Sequence, residues 1–202
     1  MSVDRIVSVW NQLYSEKGNP NVLQSAITES ESALIYGIIR AEMPNNVLEI
    51  GTGYGFATAH ISEALKDSKG GHLITIDPDF MNASDYAKDF INRLRLNDWV
   101  TFVADYSPNC LSKIIGTHPK LNLMFNYTID IAFIDGDHSI EGTVADYNEI
   151  IKYMTPGGKI IIHDTKAHTG PANILLQVAK NGNKVMPFDT ERGLAVIKVG
   201  II

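Results

Sequence analysis

The chain has 202 residues, 45% of them hydrophobic, and its 17 basic and 23 acidic side chains give a formal net charge of −6. This length and apolar content predict one packed domain with a small extension at most, since domains commonly span about 100–200 residues. The acidic balance and the lack of a lysine- or arginine-rich run argue against nucleic acid or an anionic membrane as a partner.

Cys110 is the only cysteine, which excludes a disulfide framework and a cysteine-based zinc site. The first residues lack the apolar core of a signal peptide. No apolar run approaches the ~20 residues that a membrane span requires. The sequence therefore predicts a cytoplasmic protein.

Predicted helices and strands alternate along the chain, as the spacing of apolar residues indicates. Helical patterns cover residues 2–17, 28–43, 56–65, 84–96, the stretch after Pro108, 139–154 and 171–180. Strand patterns cover 47–50, 72–76, 99–104, 129–134, 159–162, 184–188 and 194–199. Alternation of this kind is typical of a parallel sheet with helices on both faces, whereas the short link 189–193 predicts a hairpin. We predict an α/β fold: a single-domain, doubly wound sheet of seven strands, mostly parallel with the last strand antiparallel.

Residues 1–27 are predicted to form an N-terminal helical extension ahead of the main domain, residues 28–202. Two interpretations of the helix 2–17 are open. It could pack on the edge of the domain, or it could serve as a lid or as the contact of a homodimer. The loop 116–127 is longer than most connections and is predicted to border the substrate. Thr155–Gly158 is predicted to form a turn.

Three glycines lie in the segment Val47–Ala57, between a predicted strand and a predicted helix. Glycine lacks a Cβ, so a ligand can lie directly on such a loop, and the N–H groups of the following helix favour negative or polar ligand groups. The segment is therefore predicted to bind a nucleotide-type ligand. The predicted binding residues of this loop are Gly51, Thr52, Gly53, Tyr54 and Gly55.

The motif Glu49–Gly55, with the letters E-I-G-T-G-Y-G, resembles the first motif of class I S-adenosylmethionine-dependent methyltransferases. Glu49 would repel a pyrophosphate, but it can hold the cationic amino-acid head of this cofactor. Asp77 ends the next strand about 20 residues later, where an acid can accept hydrogen bonds from the ribose hydroxyls. Asp77 could instead cap the turn that Pro78 begins. The resemblance implies that Asp105, after the third strand, lies near the adenine.

Polar side chains follow each of the first five predicted strands. They belong to Glu49–Gly55, Asp77, Asp105, Asp135–His138 and His163–Thr165. In an open parallel sheet, ligands bind outside the carboxyl ends of the strands. The predicted fold therefore brings these residues, which are far apart in sequence, to one edge of the sheet.

Three further segments, Phe133–Gly142, Pro156–Gly158 and Ile162–Thr165, carry a more specific resemblance. They are similar to the branch related to catechol and caffeoyl-CoA O-methyltransferases, over residues 28–199. The resemblance implies O-methylation of a small-molecule hydroxyl with S-adenosylmethionine as methyl donor. It also implies that Asp135 and Asp164 hold Mg²⁺ or another divalent cation, as in the metal-dependent members, and that Asp135 contacts the cofactor. Thr165 departs from the asparagine of those members, and their lysine base is missing.

A hydroxyl acceptor must lose its proton to a base or be ionised by a metal. Histidine suits the base role because its ordinary pKa is about 6.5. His138 and His163 are the nearest candidates, so the predicted catalytic residues are Asp135, His138, His163 and Asp164. Each histidine could instead have a purely structural role. Two rival functions are open: an NAD(P)-dependent Rossmann oxidoreductase, and a cofactor-binding protein of methyltransferase fold that transfers no methyl group.

Overall fold

The computed structural model describes residues 2–18, 27–78, 83–117 and 128–200. In these residues seven strands form one sheet: β1 Asn46–Ile50, β2 His72–Ile76, β3 Val100–Val103, β4 Ile129–Ile134, β5 Met154–His163, β6 Lys184–Phe188 and β7 Leu194–Lys198. Their order across the sheet is β3-β2-β1-β4-β5-β7-β6. Strand β7 runs antiparallel to both neighbours, and the other pairings are parallel. The predicted seven-stranded α/β sheet with an antiparallel last strand is confirmed.

Helices cover both faces of the sheet. They are α1 Ser2–Lys17, α2 Glu29–Glu42, α3 Phe56–Ser68, α4 Ser84–Arg93, α5 Leu111–Thr117, α6 Ile140–Ile150 and α7 Thr169–Lys180. Successive strand side chains point to opposite faces. Val47 and Phe133 therefore pack with α1–α4 on one face, while Leu48 and Ile134 pack with α5–α7 on the other. This two-sided burial explains why the central strands are almost continuously apolar.

Helix α1 packs onto the main hydrophobic cluster. Its Ile6, Trp10 and Leu13 are buried, and the Trp10 ring centroid lies 4.8 Å from that of Phe56 and 5.0 Å from that of Phe90. The packing supports the interpretation of α1 as an edge helix. Residues 19–26 lie outside the described residues, and the domain boundary at residue 27 and the homodimer stay predictions.

The start of α2 forms the capping box that the sequence indicates. The Glu31 backbone N–H donates to Thr28 Oγ1 at 3.3 Å, and the Thr28 backbone N–H donates to Glu31 Oε2 at 3.2 Å. Such reciprocal bonds satisfy two of the backbone donors at a helix start. The Glu31 side chain is fully buried, which a capping role alone does not require.

The predicted turn Thr155–Gly158 is instead part of β5. In the pairing with β4, Ile129 faces Met154 and Ile131 faces Lys159, so the residues between them bulge out of register. The segment remains in the sheet because it pairs with the chain beyond β7. The Gly157 N–H donates to the Val199 carbonyl at 3.2 Å, and the Val199 N–H donates to the Gly158 carbonyl at 2.9 Å.

Several predicted helix bounds shift. The helix expected over 84–96 ends at Arg93, the one over 139–154 ends at Ile150 before a 3₁₀ turn, and the one after Pro108 begins at Leu111. Of the loop 116–127, the first two residues belong to α5 and residues 118–127 lie outside the described residues. None of the described helices is long and apolar enough to cross a membrane.

Candidate active site

A cavity of about 760 Å³ opens at the carboxyl edge of the sheet. Its lining comes mainly from the segments that follow the parallel strands β1 to β5, as expected for a parallel sheet, and from Arg192 before β7. One set of lining residues, here the glycine-loop group, comprises Gly51–Tyr54, Phe56 and Ile76–Pro78. A second set, here the acid-histidine group, comprises Asp135, His138, His163, Asp164, His168 and Arg192.

Gly51 joins the two groups through the backbone. Its φ is +93°, and a Cβ at this position would lie 2.1 Å from the Asp135 carbonyl oxygen. Its N–H donates to the Ile76 carbonyl at 2.9 Å, and the Asp135 N–H donates to the Ile50 carbonyl at 2.9 Å. Only glycine has both the required backbone freedom and the required size here.

Gly53 and Asp77 form the ligand-facing part of the glycine-loop group. The Gly53 N–H donates to Asp77 Oδ2 at 2.9 Å, so the second glycine and the acid after β2 are fixed to one another. The space where a Gly53 Cβ would stand holds no protein atom within 4 Å. Thr52 and Tyr54 also line the cavity. Gly55 is the N-cap of α3 instead, and it is not among the lining residues.

The structure does not bring Glu49 into the cavity. Its side chain is fully buried beneath the loop, where Oε2 accepts a hydrogen bond from Thr58 Oγ1 at 2.7 Å. Burial raises the pKa of Glu49 to about 8, against the lowering effect of the Thr75 and Thr58 hydroxyls. In this position Glu49 lies outside the cavity lining and contacts Thr58 of α3, and its contact with the cofactor stays a prediction.

Asp105 is likewise outside the cavity lining. It is exposed after β3, and its Oδ1 accepts from the Tyr106 N–H at 2.7 Å. The neighbouring Tyr106 and Ser107 line the cavity in its place. The segment after β3 is therefore at the site, as predicted, but through different residues.

All four predicted catalytic side chains meet in the acid-histidine group. Asp135 Oδ1 lies 3.0 Å from His163 Nδ1 and 3.3 Å from His138 Nε2. Asp164 Oδ2 lies 3.3 Å from the same His138 nitrogen. Burial raises the pKa of Asp135, but the hydrogen bonds from the two histidines outweigh it and lower that pKa overall.

His163 lies between two carboxylates and is only 2% exposed. Its Nδ1 faces Asp135, and its Nε2 faces Glu31 Oε2 at 3.1 Å. Burial lowers the pKa of His163, but Asp135, Asp164 and Glu31 outweigh it and raise that pKa to about 9. Because each ring nitrogen already faces a carboxylate, neither is placed to accept a proton from a ligand, and this geometry favours a structural role for His163.

Glu31 is the buried partner at the far end of this chain of hydrogen bonds. Its carboxylate accepts from His163, from Thr28 Oγ1 at 2.8 Å and from the Arg192 N–H at 3.1 Å. Burial raises the pKa of Glu31, but hydrogen bonds from Thr190, His163 and Thr28 lower it to about 2. The capping box of α2 thus holds the Glu31 carboxylate beside His163, on the buried side of the site.

Arg192 pairs with Asp164 through two parallel bonds. Its Nε donates to Oδ1 at 2.6 Å and its Nη2 donates to Oδ2 at 2.9 Å. Asp164 is fully buried and has a φ of +59°, a backbone conformation that is uncommon for residues other than glycine. The fork of a guanidinium matches a carboxylate in this bidentate way.

His138 is the accessible histidine of the group. It is 31% exposed, and its Nε2 lies between Asp135 and Asp164. The hydrogen bond to Asp135 raises its pKa, against the lowering effect of burial. Its ring stacks on that of His168, with centroids 4.4 Å apart and planes 16° apart. Of the two predicted bases, His138 is the one that a ligand in the cavity can reach.

Comparison with known proteins now adds to this geometry. Residues 48–165, more than half of the chain, match the family described as methyltransferase domain. The chain belongs to this methyltransferase domain family. An NAD(P)-dependent oxidoreductase is therefore not favoured. An uncharacterised mimivirus protein, R132 of Acanthamoeba polyphaga mimivirus, is 29% identical over 137 residues, which are 66% of this chain and 57% of that protein. The matched part thus spans little more than half of that relative.

Solved structures confirm the methyltransferase fold. An O-methyltransferase from Bacillus cereus in complex with SAH has a TM-score of 0.75 at 20% identity, over 95% of this chain and 90% of that one. A proposed caffeoyl-CoA O-methyltransferase from Staphylococcus aureus gives 0.74 at 15% identity, over 96% and 92%. The O-methyltransferase TomG from Streptomyces achromogenes, in complex with SAM, gives 0.71 at 16% identity, over 96% and 89%.

The metal site predicted for this methyltransferase fits its side chains poorly. Ligand atoms of Asp135, His163 and Asp164 lie within 4.8 Å of one another. However, both oxygens of Asp164 accept from Arg192, and both nitrogens of His163 face carboxylates. A divalent cation needs oxygen lone pairs at about 2.0–2.6 Å, and one lone pair on each Asp164 oxygen already accepts from the Arg192 guanidinium. The ligand atoms of His138, Asp164 and His168 also lie within 4.8 Å of one another, and this group depends on the same Asp164 carboxylate.

Three residues of the methyltransferase site were missed from the sequence. Glu31 carried only its capping signal, Arg192 lay in a segment assigned to a hairpin, and His168 lay just before a predicted helix. For Glu31, the sequence shows only the capping pattern, because its burial is known from the structure alone. For Arg192 and His168, nothing in the local sequence distinguishes them from surface residues.

Proposed function

We propose that the chain binds S-adenosylmethionine and methylates the hydroxyl oxygen of a small molecule. The observation that carries this proposal is that one cavity holds both a glycine loop paired with Asp77 and an accessible histidine flanked by two acids. The O-methyltransferase from Bacillus cereus, of similar fold, was solved with SAH, and TomG was solved with SAM. The net charge of −6 supports a small-molecule acceptor over a nucleic acid.

The glycine-loop group fits this cofactor. The open space at Gly53 leaves the backbone accessible to a ligand, and the Asp77 carboxylate can accept hydrogen bonds from ribose hydroxyls. Ile76, Tyr106 and Pro78 add apolar surface for a base ring. When bound, the cofactor would supply a methyl group attached to a positively charged sulfur. The positive charge makes the methyl carbon a good electrophile.

The acid-histidine group supplies the base. We propose that His138 Nδ1, the ring nitrogen that does not face Asp135 and Asp164, accepts the proton of the acceptor hydroxyl. The acceptor oxygen would then bond to the methyl carbon as the carbon–sulfur bond breaks and S-adenosylhomocysteine leaves. Asp135 stabilises the imidazolium that results, as a carboxylate does for a catalytic histidine. His163 and Glu31 hold Asp135 in place from the buried side. Alignment of the acceptor with the methyl group can contribute up to about 7–11 kcal/mol.

A binding and turnover experiment tests this function. Calorimetry should show that S-adenosylhomocysteine binds and that NAD⁺ does not. Incubation with labelled S-adenosylmethionine and a panel of phenols, catechols and aliphatic alcohols should then label an acceptor. Binding without any labelled acceptor would favour the rival of a cofactor-binding protein that transfers no methyl group. Absence of binding would contradict the proposal.

A further inference from the structure

We propose that Arg192 takes the place of a divalent cation in this site, so that the acid-histidine group works without a metal and Arg192 positions Asp164 beside His138. The inference rests on the proposed function, but its main test measures metal binding and does not require methyl transfer. It assigns a role to a residue that lies outside every motif of the sequence.

The first support is the way in which the negative charge of the site is balanced. Glu31, Asp135 and Asp164 come together in a buried region, where unpaired carboxylates would repel one another strongly. Arg192 covers both oxygens of Asp164 at 2.6 and 2.9 Å. A guanidinium stays protonated in proteins, so a permanent positive charge already stands against the carboxylate that a metal would need.

The second support is that Arg192 is fixed by its backbone. Its N–H donates to Glu31 Oε1 at 3.1 Å, and its carbonyl accepts from the Lys166 N–H at 3.0 Å. An ordinary surface arginine has no such anchoring. These bonds join α2, the end of β5 and the residue before Gly193 into one unit.

Gly193 shows how closely this unit is packed. Its φ is +86°, and a Cβ there would lie 2.5 Å from Thr165 Oγ1 and 2.6 Å from the Lys166 nitrogen. The Thr165 N–H donates to the Gly193 carbonyl at 3.1 Å. Thr165, the residue that departs from the asparagine of metal-dependent relatives, thus packs against the segment that carries Arg192.

The third support comes from the opposite side of the cluster. His163 lies between Asp135 and Glu31 at 3.0 and 3.1 Å. A cation held by Asp135 and Asp164 would therefore have to compete with His163 for Asp135 and with Arg192 for Asp164. We expect metal binding to be weak for this reason.

Manganese binding is the direct test. The free Mn²⁺ signal in electron paramagnetic resonance should not fall when wild-type protein is added at sub-millimolar concentration. Arg192→Gln removes the guanidinium charge and keeps much of the length, and it should bind Mn²⁺ at least about tenfold more tightly than wild type. Lys180→Gln, at an exposed lysine that ends α7, is the matched control and should behave as wild type. Saturable Mn²⁺ binding by wild type that Asp164→Asn abolishes would overturn the proposal.

A second measurement decides the case in which neither protein binds manganese. After exhaustive chelation, wild type should keep its S-adenosylhomocysteine affinity and its methyl transfer, while Arg192→Gln loses transfer and Arg192→Lys recovers part of it. Full transfer by Arg192→Gln would overturn the proposal. If wild type binds both S-adenosylhomocysteine and Mn²⁺, this inference fails and the proposed function stands. If it binds neither, the proposed function fails and the metal-free site stands.

Discussion

The glycine-loop group and the acid-histidine group line the same cavity but are built in different ways. The first comes from two successive strand ends and depends on backbone shape: Gly51 fits under Asp135, and Gly53 donates to Asp77. The second depends on charges that are far apart in sequence: Arg192, a member of the group, and its buried partner Glu31 are 161 positions apart. The glycine-loop group depends on backbone shape and the acid-histidine group on charge balance. We therefore expect mutations in the two groups to have different effects.

The largest effect is expected at the contact between the groups. Gly51→Ala would place a Cβ 2.1 Å from the Asp135 carbonyl at a φ of +93°, so we expect a loss of about 4 kcal/mol or more in the free energy of unfolding. Gly53→Ala is the matched control, because its φ of +48° meets no atom within 4 Å and should lose about 1–2 kcal/mol. Urea unfolding compares the two. Equal urea midpoints for the two variants would show that the Asp135 carbonyl does not crowd the Gly51 position.

The next effect separates chemistry from binding. His138→Gln should reduce methyl transfer by about 10²–10⁴-fold, as for loss of a general base, and leave the affinity for S-adenosylhomocysteine unchanged. His72→Gln is the control, because His72 lies at the start of β2, away from the cavity, and hydrogen-bonds Thr101. Single-turnover rates and calorimetry give the two values. A parallel loss of affinity and rate would place His138 with the glycine-loop group instead.

The same contrast explains what the sequence could predict. The sheet, its antiparallel last strand and the loop after β1 follow from local patterns of apolar residues and glycines. The positions of Asp77, Asp135, His138, His163 and Asp164 follow from the rule that parallel strand ends share an edge. Each of these predictions needs only the residue and the element on which it lies.

The direction in which a side chain points, and the residue that it contacts, could not be predicted in this way. Glu49 was expected in the cavity, but strand alternation turns its side chain into the buried layer with Thr58. Asp105 was expected at the ligand, but it is exposed and outside the cavity lining, which Tyr106 forms instead. Arg192 meets Asp164 only because the segment before β7 packs on the end of β5. Such contacts are set by tertiary packing and leave no local pattern.

A moderate effect should distinguish the two acids expected to bind the cofactor. Asp77→Asn should weaken S-adenosylhomocysteine binding by about 1.5–3 kcal/mol, the range for hydrogen bonds to a charged group. Asp105→Asn should bind it as wild type does, because Asp105 is outside the cavity lining. Calorimetry measures both. A loss for Asp105→Asn as large as that for Asp77→Asn would restore the role implied by the family resemblance.

The last effect concerns the support beneath the glycine loop, and it is spread over a range of pH. The pKa of Glu49 is raised from 4.5 to about 8 in the folded protein, so the unfolded chain releases this proton first as the pH rises. Glu49 therefore stabilises the fold less as the pH rises from about 4.5 to about 8, with about 1.4 kcal/mol for each pKa unit of difference. Glu49→Gln should gain stability relative to wild type over this window in thermal melts. A difference that does not change with pH would show that Glu49 is ionised.

Calorimetric titration with S-adenosylhomocysteine tests the central claim most directly, namely that the glycine-loop group binds the cofactor and the acid-histidine group does the chemistry. We expect one site per chain in wild type, much weaker binding in Asp77→Asn, and binding as in wild type for His138→Gln. No binding to wild type, or equal loss in the two variants, would contradict this division of the cavity.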